Sequence, residues 1–202
     1  MSFPHRELAL LLLLTAGPPD RLTAQVIWTG HLGATLTTAM VTDQVTATTI
    51  QLKPGLAPTL GVEASLPLKT RTPVNATFEL MATTATLQRH EGGAVVDLAS
   101  MRTFAATAGI SGHVARMVTL RAGAGFISYL TSEKASIFQD GAPTRPAATV
   151  ALEYRRPLNG VYTISGLVRY DVHGFTTKQL ANSGYTGSQF VHRVMVGVGV
   201  SR

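Results

Sequence analysis

The chain has no cysteine, and of its 202 residues only 14% are charged and 6% aromatic. Without cysteine there is no disulfide framework, no thiolate zinc site and no thiol nucleophile, so the fold must hold without staples. A charged share this far below the usual quarter excludes a disordered chain, a coiled coil or an enzyme with an ordinary solvated surface. Something other than water must cover much of a chain that is 45% hydrophobic. Yet beyond residue 25 no stretch approaches the 18 uninterrupted apolar residues of a helical span. One domain of membrane-crossing strands is what remains.

Residues 1–24 look like an export signal. His5 and Arg6 precede an apolar run over residues 8–16 that contains five consecutive leucines, too short to span a bilayer. Gly17-Pro18-Pro19 ends that run, and small Ala24 suits the last position before a signal-peptidase cut. The leader carries two basic and two acidic residues (Arg6, Arg21, Glu7 and Asp20), so the net charge of residues 25–202 stays at +6.

Sorted by parity, the mature chain separates into two faces. Trp28, Leu32, Ala34, Leu36 and Met40 alternate with Thr29, His31, Gly33, Thr35 and Thr37. A period of two is that of a strand whose faces meet different surroundings. Seven further segments repeat it, centred near Val62, Phe78, Ala106, Ala122, Val150, Val168 and Val196. Each suffices for a tilted crossing of about 9–11 residues. Ser100 and Arg102 interrupt the fourth apolar face. The connections alternate short (67–73, 111–116, 156–160) and long (42–55, 85–94, 131–145, 174–189). That alternation fits short periplasmic turns, longer extracellular loops and both termini periplasmic.

Chemistry sets the facing. Glu63, Glu79, Arg121, Glu153, Arg169 and Arg193 are all odd-numbered, and an arginine or lysine on the lipid face at the midplane costs about 2–4 kcal/mol. Odd positions therefore point inward, where these six side chains are expected to form a structural ion-pair network plugging a lumen that eight strands leave just wide enough for side chains. Counted from the short turns, Glu63, Glu79 and Arg121 should lie at similar depth. Even-numbered Trp28, Tyr154 and Tyr162 fall at the turn ends of their strands, and Phe126, Tyr170 and Phe190 toward the other ends, as two interfacial girdles would. Gly123, Gly125, Gly197 and Gly199 lie on the lumen parity, where missing side chains would leave room for long Arg and Glu.

Catalytic and cofactor readings are weak. His90, His113, His173 and His192 show no zinc-ligand spacing, so no metal or cofactor is expected. Glu63 and Glu79 sit on adjacent strands without a cleft and serve better as counter-ions than as a hydrolytic pair. His192, with Ser183 and Ser188 before it, is the one arrangement that could suit a lipid A-modifying enzyme, but no acidic third member accompanies them. The basic residues are too scattered, and too little interleaved with aromatics, for nucleic acid. Lipopolysaccharide phosphates are the better partner for Arg89, Lys134, Arg145 and Lys178 in the long loops.

On this pattern the chain resembles the small outer-membrane β-barrels of the OmpA/OmpX type over nearly all of residues 26–202. The resemblance implies an all-β, eight-stranded antiparallel up-and-down transmembrane barrel in the Gram-negative cell envelope. It also implies insertion by the barrel-assembly machinery, a monomeric state, contact with outer-membrane lipids, and a structural or surface-interaction role without porin or enzyme activity. No peptidoglycan-binding domain is expected after the last strand, and the end Val198-Gly199-Val200-Ser201-Arg202 departs from the aromatic residue usual there. The competing reading is a soluble lipocalin-like barrel that turns the even face inward around a small apolar ligand. Mass spectrometry of the membrane-inserted protein should find a new N-terminus near residue 25, and an intact Met1 would refute the leader.

Overall fold

In the computed structural model, residues 26–45, 48–68, 73–131, 144–158, 160–178, 182 and 189–202 are described, and the expected leader, residues 1–24, lies outside them together with Gln25. Ten strands follow one another: β1 (Ile27–Thr37), β2 (Val41–Val45), β3 (Thr48–Pro54), β4 (Ala57–Pro67), β5 (Val74–Glu91), β6 (Ala94–Ala115), β7 (Val118–Thr131), β8 (Thr144–Pro157), β9 (Thr163–Phe175) and β10 (Gln189–Ser201). Eight of them close a ring in the order β1-β4-β5-β6-β7-β8-β9-β10, with β10 returning to β1. Every pairing is antiparallel, from Thr29 opposite Ser201 at the seam to Trp28 opposite Ala64 on its other side. A closed ring of this kind leaves no strand edge unpaired, which is what the hydrocarbon layer demands.

The two faces divide as the parity requires. Leu32, Leu60, Val62, Phe78, Leu80, Phe126, Val168 and Val196 are exposed on the outside, whereas Glu63 and Arg169 are 0% and 1% exposed inside. An apolar exterior around a charged interior inverts the architecture of a soluble lipocalin-like barrel and matches a membrane-spanning one. Trp28, Tyr154 and Tyr162 ring the short-turn end, and Phe104, Phe126 and Phe190 the opposite end.

The long connections hold more structure than loops would. Residues 42–55 fold largely into the β2–β3 hairpin, and β3 pairs with the outer part of β5 from Ile50 opposite Glu91 to Pro54 opposite Leu87. The expected loop 85–94 is no loop. β5 and β6 run on as one hairpin to a tight turn at Gly92-Gly93, with φ of 55° and 88°. Both glycines take the left-handed region that such a turn requires, at no Cβ cost. At 18 and 22 residues these strands far exceed a bilayer crossing, so β2, β3, β5 and β6 carry the sheet beyond the barrel wall. Arg102, which interrupts the apolar face of β6, pairs with Leu130 where β7 ends and so lies at the rim. The short turn expected over 111–116 tightens to Arg116 and Met117, because β6 continues to Ala115. Most of the expected long connections 131–145 and 174–189 lies outside the described residues.

The depth dependence of arginine insertion gives a direct check. Val150 faces lipid in the middle of β8, opposite Ala122 and Tyr170, whereas exposed Leu158 lies at the turn. Val150→Arg should lower folding stability in vesicles by about 2–4 kcal/mol and Leu158→Arg by no more than about 1 kcal/mol, measured by denaturant titration of the refolded barrel.

Candidate functional site in the barrel lumen

Antiparallel register places Glu63 of β4 directly opposite Glu79 of β5. Two like charges side by side are unfavourable, and the arrangement holds because arginines reach them from the far wall. Arg121 of β7 forms an ion pair with Glu63 Oε2, stands 3.8 Å from Glu79 Oε2, and reaches Glu153 Oε2 with its other terminal nitrogen at 3.4 Å. Arg169 of β9 bridges Glu79 and Asp171, its Nε lying 2.7 Å from Asp171 Oδ1. Arg155 donates to Glu153 at 2.8 Å and lies 4.0 Å from Glu63. Ser65 donates to Glu63 Oε1 at 2.7 Å, and His31 Nε2 lies 3.4 Å from Glu63 Oε2. All of these side chains are buried apart from partly buried Arg155.

Five of the six residues singled out by parity meet in this cluster. Arg193, the sixth, is buried but stands apart in the described ion pairs: it donates to Thr83 Oγ1 at 3.1 Å and faces Asp171 in register across β9 and β10. Thr83 in turn continues a hydroxyl ladder through Thr59 (3.2 Å) to Thr35 (2.6 Å). Asp171, Arg155 and His31 were missed by the sequence reading, although their odd numbers carried the same signal. With Asp171 and Arg155 added, four carboxylates meet three guanidiniums, and the fourth, that of Arg193, faces Asp171 in register. Balanced charge in hydrogen-bond contact is the condition under which buried ions persist.

Toward the loop end the lumen changes character. Met40, Leu87, Met101, Ile127, Tyr129 and Phe175 form an apolar layer there with Val191 and Met195. Tyr129 packs edge-on against Phe175 at 5.6 Å and hydrogen-bonds His173 Nε2 through its hydroxyl at 2.6 Å. This layer was also unforeseen: its odd-numbered members are scattered over several strands, Met195 at the middle of β10, and even-numbered Met40, expected on the outward face, lies past the end of β1 and turns inward, fully buried. A cavity of about 20 Å³ remains beside Glu79, Arg121 and Thr149, room for about one water molecule.

The lumen glycines do not make room for long Arg and Glu side chains as expected, and at three of the four positions backbone stands closest. A Cβ on Gly123, Gly125 or Gly197 would lie 2.5, 1.9 or 2.7 Å from a backbone oxygen of the adjacent strand, so these glycines permit close backbone approach at bends of the wall. At Gly199 the side chains of His31 and Ser165 occupy the vacated space, and at Gly197 the end of the Met195 side chain also comes within 3.0 Å.

His31, Glu63 and Glu79 offer ligand atoms within 4.8 Å of one another, the one such group among the described residues. Both glutamates already accept from arginine, a poor setting for a cation. On the outer surface His192 Nδ1 meets the Tyr170 hydroxyl at 2.6 Å with the rings stacked, while Ser183 and Ser188 lie outside the described residues. Of the loop cations, Arg89 pairs with Glu91 at 2.7 Å and Arg145 donates to the Thr176 carbonyl; Lys134 lies outside the described residues.

Closed ring, apolar belt and charge-filled lumen together define an eight-stranded membrane-spanning β-barrel. In fold the chain is similar to neisserial surface protein A (NspA), at a TM-score of 0.51 and 11% identity, over 87% of this chain and 94% of that one. It also aligns with Ail of Yersinia pestis (TM-score 0.48, 10% identity, 88% and 97% covered) and with OprG of Pseudomonas aeruginosa (0.46, 14%, 88% and 95%). No protein-family profile matches the chain, and no curated protein sequence does.

Because Arg121 touches three glutamates, removing it strands buried negative charge, which costs about 3–5 kcal/mol. Arg121→Ala should therefore destabilise the refolded barrel by that amount, and adding Glu63→Gln with Glu79→Gln should recover part of the loss. Strictly additive effects in denaturant titrations would contradict the cluster.

Proposed function

We propose that the protein is a small, non-porin, non-catalytic outer-membrane β-barrel with a structural or surface-interaction role. The observation that carries this reading is the filled lumen: an ion-pair cluster across the barrel and an apolar layer above it. A water-filled channel needs a wider barrel, as in porins of about 16–18 strands. Residues 1–24 direct export in this reading, the short turns and both termini face the periplasm, and the β2–β3 and β5–β6 hairpins stand outside the cell. The hairpins supply the surface on which a partner could be read, as loops on rigid scaffolds commonly do. Lipopolysaccharide contacts the outer girdle, the assembly machinery inserts the chain, and the barrel works as a monomer. Against lipid A-modifying chemistry stands the pairing of His192 with Tyr170 rather than with a carboxylate.

Two measurements on one preparation test this. The protein refolded into vesicles should change its gel mobility on boiling, as a barrel that resists detergent until heated does. In planar bilayers it should show no steady conductance above that of bare membrane. Stable porin-sized channels from the unmutated protein would overturn the non-porin reading.

A further inference from the structure

The charges that escape the lumen cluster are unevenly shared between the two ends. At the loop end Lys53, Arg89, Arg102, Arg145 and Lys178 are mixed with Asp43, Glu91 and Asp97, and Arg89 is paired with Glu91. At the short-turn end the exposed charges among the described residues are Arg116, Arg156 and Arg202, all basic. The carboxylates nearest this end of β8 and β4, Glu153 and Glu63, are buried inside and already held by Arg121 and Arg155.

These arginines are interleaved with the aromatic girdle along adjacent strands. Trp28 opens β1. The Arg202 amide, just past β10, donates to the Trp28 carbonyl at 3.2 Å, and the Arg202 guanidinium lies 6.0 Å from the centre of the Tyr162 ring before β9. Arg156, next to last in β8, stands opposite Ile164 on the lipid-facing parity, two residues beyond Tyr154. The Tyr154 hydroxyl reaches Met117 Sδ at 3.2 Å, next to Arg116 in the β6–β7 turn. Around the ring the order is Trp28, Arg202, Tyr162, Arg156, Tyr154, Arg116. Aromatic side chains of this kind sit at headgroup depth, so the guanidiniums beside them are held at the height of lipid phosphates. Guanidinium is suited to phosphate by its planar fork of donors.

We propose that this arc binds the headgroups of anionic phospholipids in the leaflet on the short-turn side. The inference rests on the membrane-spanning reading and adds a lipid preference to one face of it. Basic residues at a membrane surface attract anionic lipid, each by a free energy that corresponds to about a fivefold preference. Zwitterionic headgroups carry their own ammonium and gain less.

Trp28, the single tryptophan of the chain, is an intrinsic probe within the arc. The protein is refolded into phosphatidylcholine vesicles containing a fixed fraction of phosphatidylglycerol, with bromine on the acyl chains of one lipid or the other, and Trp28 quenching is measured. Quenching in fully brominated phosphatidylcholine establishes insertion; its absence would refute the membrane-spanning reading itself. With insertion established, brominated phosphatidylglycerol should quench beyond its mole fraction, with a relative association of about five. The triple variant Arg116→Gln, Arg156→Gln, Arg202→Gln should return it to one, while Lys53→Gln with Arg89→Gln at the far end should leave it unchanged. Quenching of the unmutated protein in proportion to mole fraction would overturn the lipid preference, as would an equal loss in the far-end variant.

Discussion

Hydrocarbon offers no water to an unpaired amide or carbonyl, so a strand crosses a membrane only when both its edges are bonded. In this chain that constraint is met at the seam between β1 and β10, where Thr29 to Thr37 pair with Ser201 back to Arg193. Everything else depends on that closure. It turns one side of every strand toward lipid and the other toward a lumen a few side chains wide, and so converts a simple alternation into two separate chemical problems. The outer face is solved by Leu, Val, Ala and Phe. Inside, polar and charged side chains must satisfy one another.

The interior meets this demand in layers. Near the short turns, carboxylates of β4, β5, β8 and β9 are matched by guanidiniums of β7, β8 and β9 that cross the lumen. Above them runs the threonine ladder, and above that the layer built around Tyr129 and Phe175. A buried ion pair is seldom the most stabilising way to fill a space. Its merit here is in specifying register: a one-residue slip of β4 or β7 would move Glu63 or Arg121 to the lipid face and bring an apolar side chain inside. The charged layer therefore disfavours misregistered barrels that an all-apolar lumen would tolerate.

Beyond the wall, the same sheet continues under different rules. The outer parts of β5 and β6 meet water, and their alternation relaxes: Val95, Val96 and Leu98 are exposed together. Strand propensity and the Gly92-Gly93 turn hold this part as a hairpin, and β3 pairs along its β5 edge. The barrel thus carries a sheet extension on one side, beginning where the lipid belt stops.

The sequence by itself determined the fold class, the eight crossings and the face on which side chains lie along the membrane-crossing parts of the strands, because a period of two is a local property that a membrane enforces there. It also marked Glu63, Glu79, Arg121, Glu153, Arg169 and Arg193 as inward, since lipid rejects charge wherever it falls. Which of them meet was not legible there. Arg121 and Glu63 are far apart in the chain and on non-adjacent strands, and their contact depends on strand tilt and on the curvature that brings opposite walls together. The separation of Arg193 from the glutamates, the recruitment of Asp171 and Arg155, and the close backbone approach at Gly125 are consequences of that curvature. The loops were misjudged for a related reason: residues 85–94 read as a long connection, yet strand pairing depends on backbone hydrogen bonds that most side chains permit, and only the tertiary structure decided where they stop.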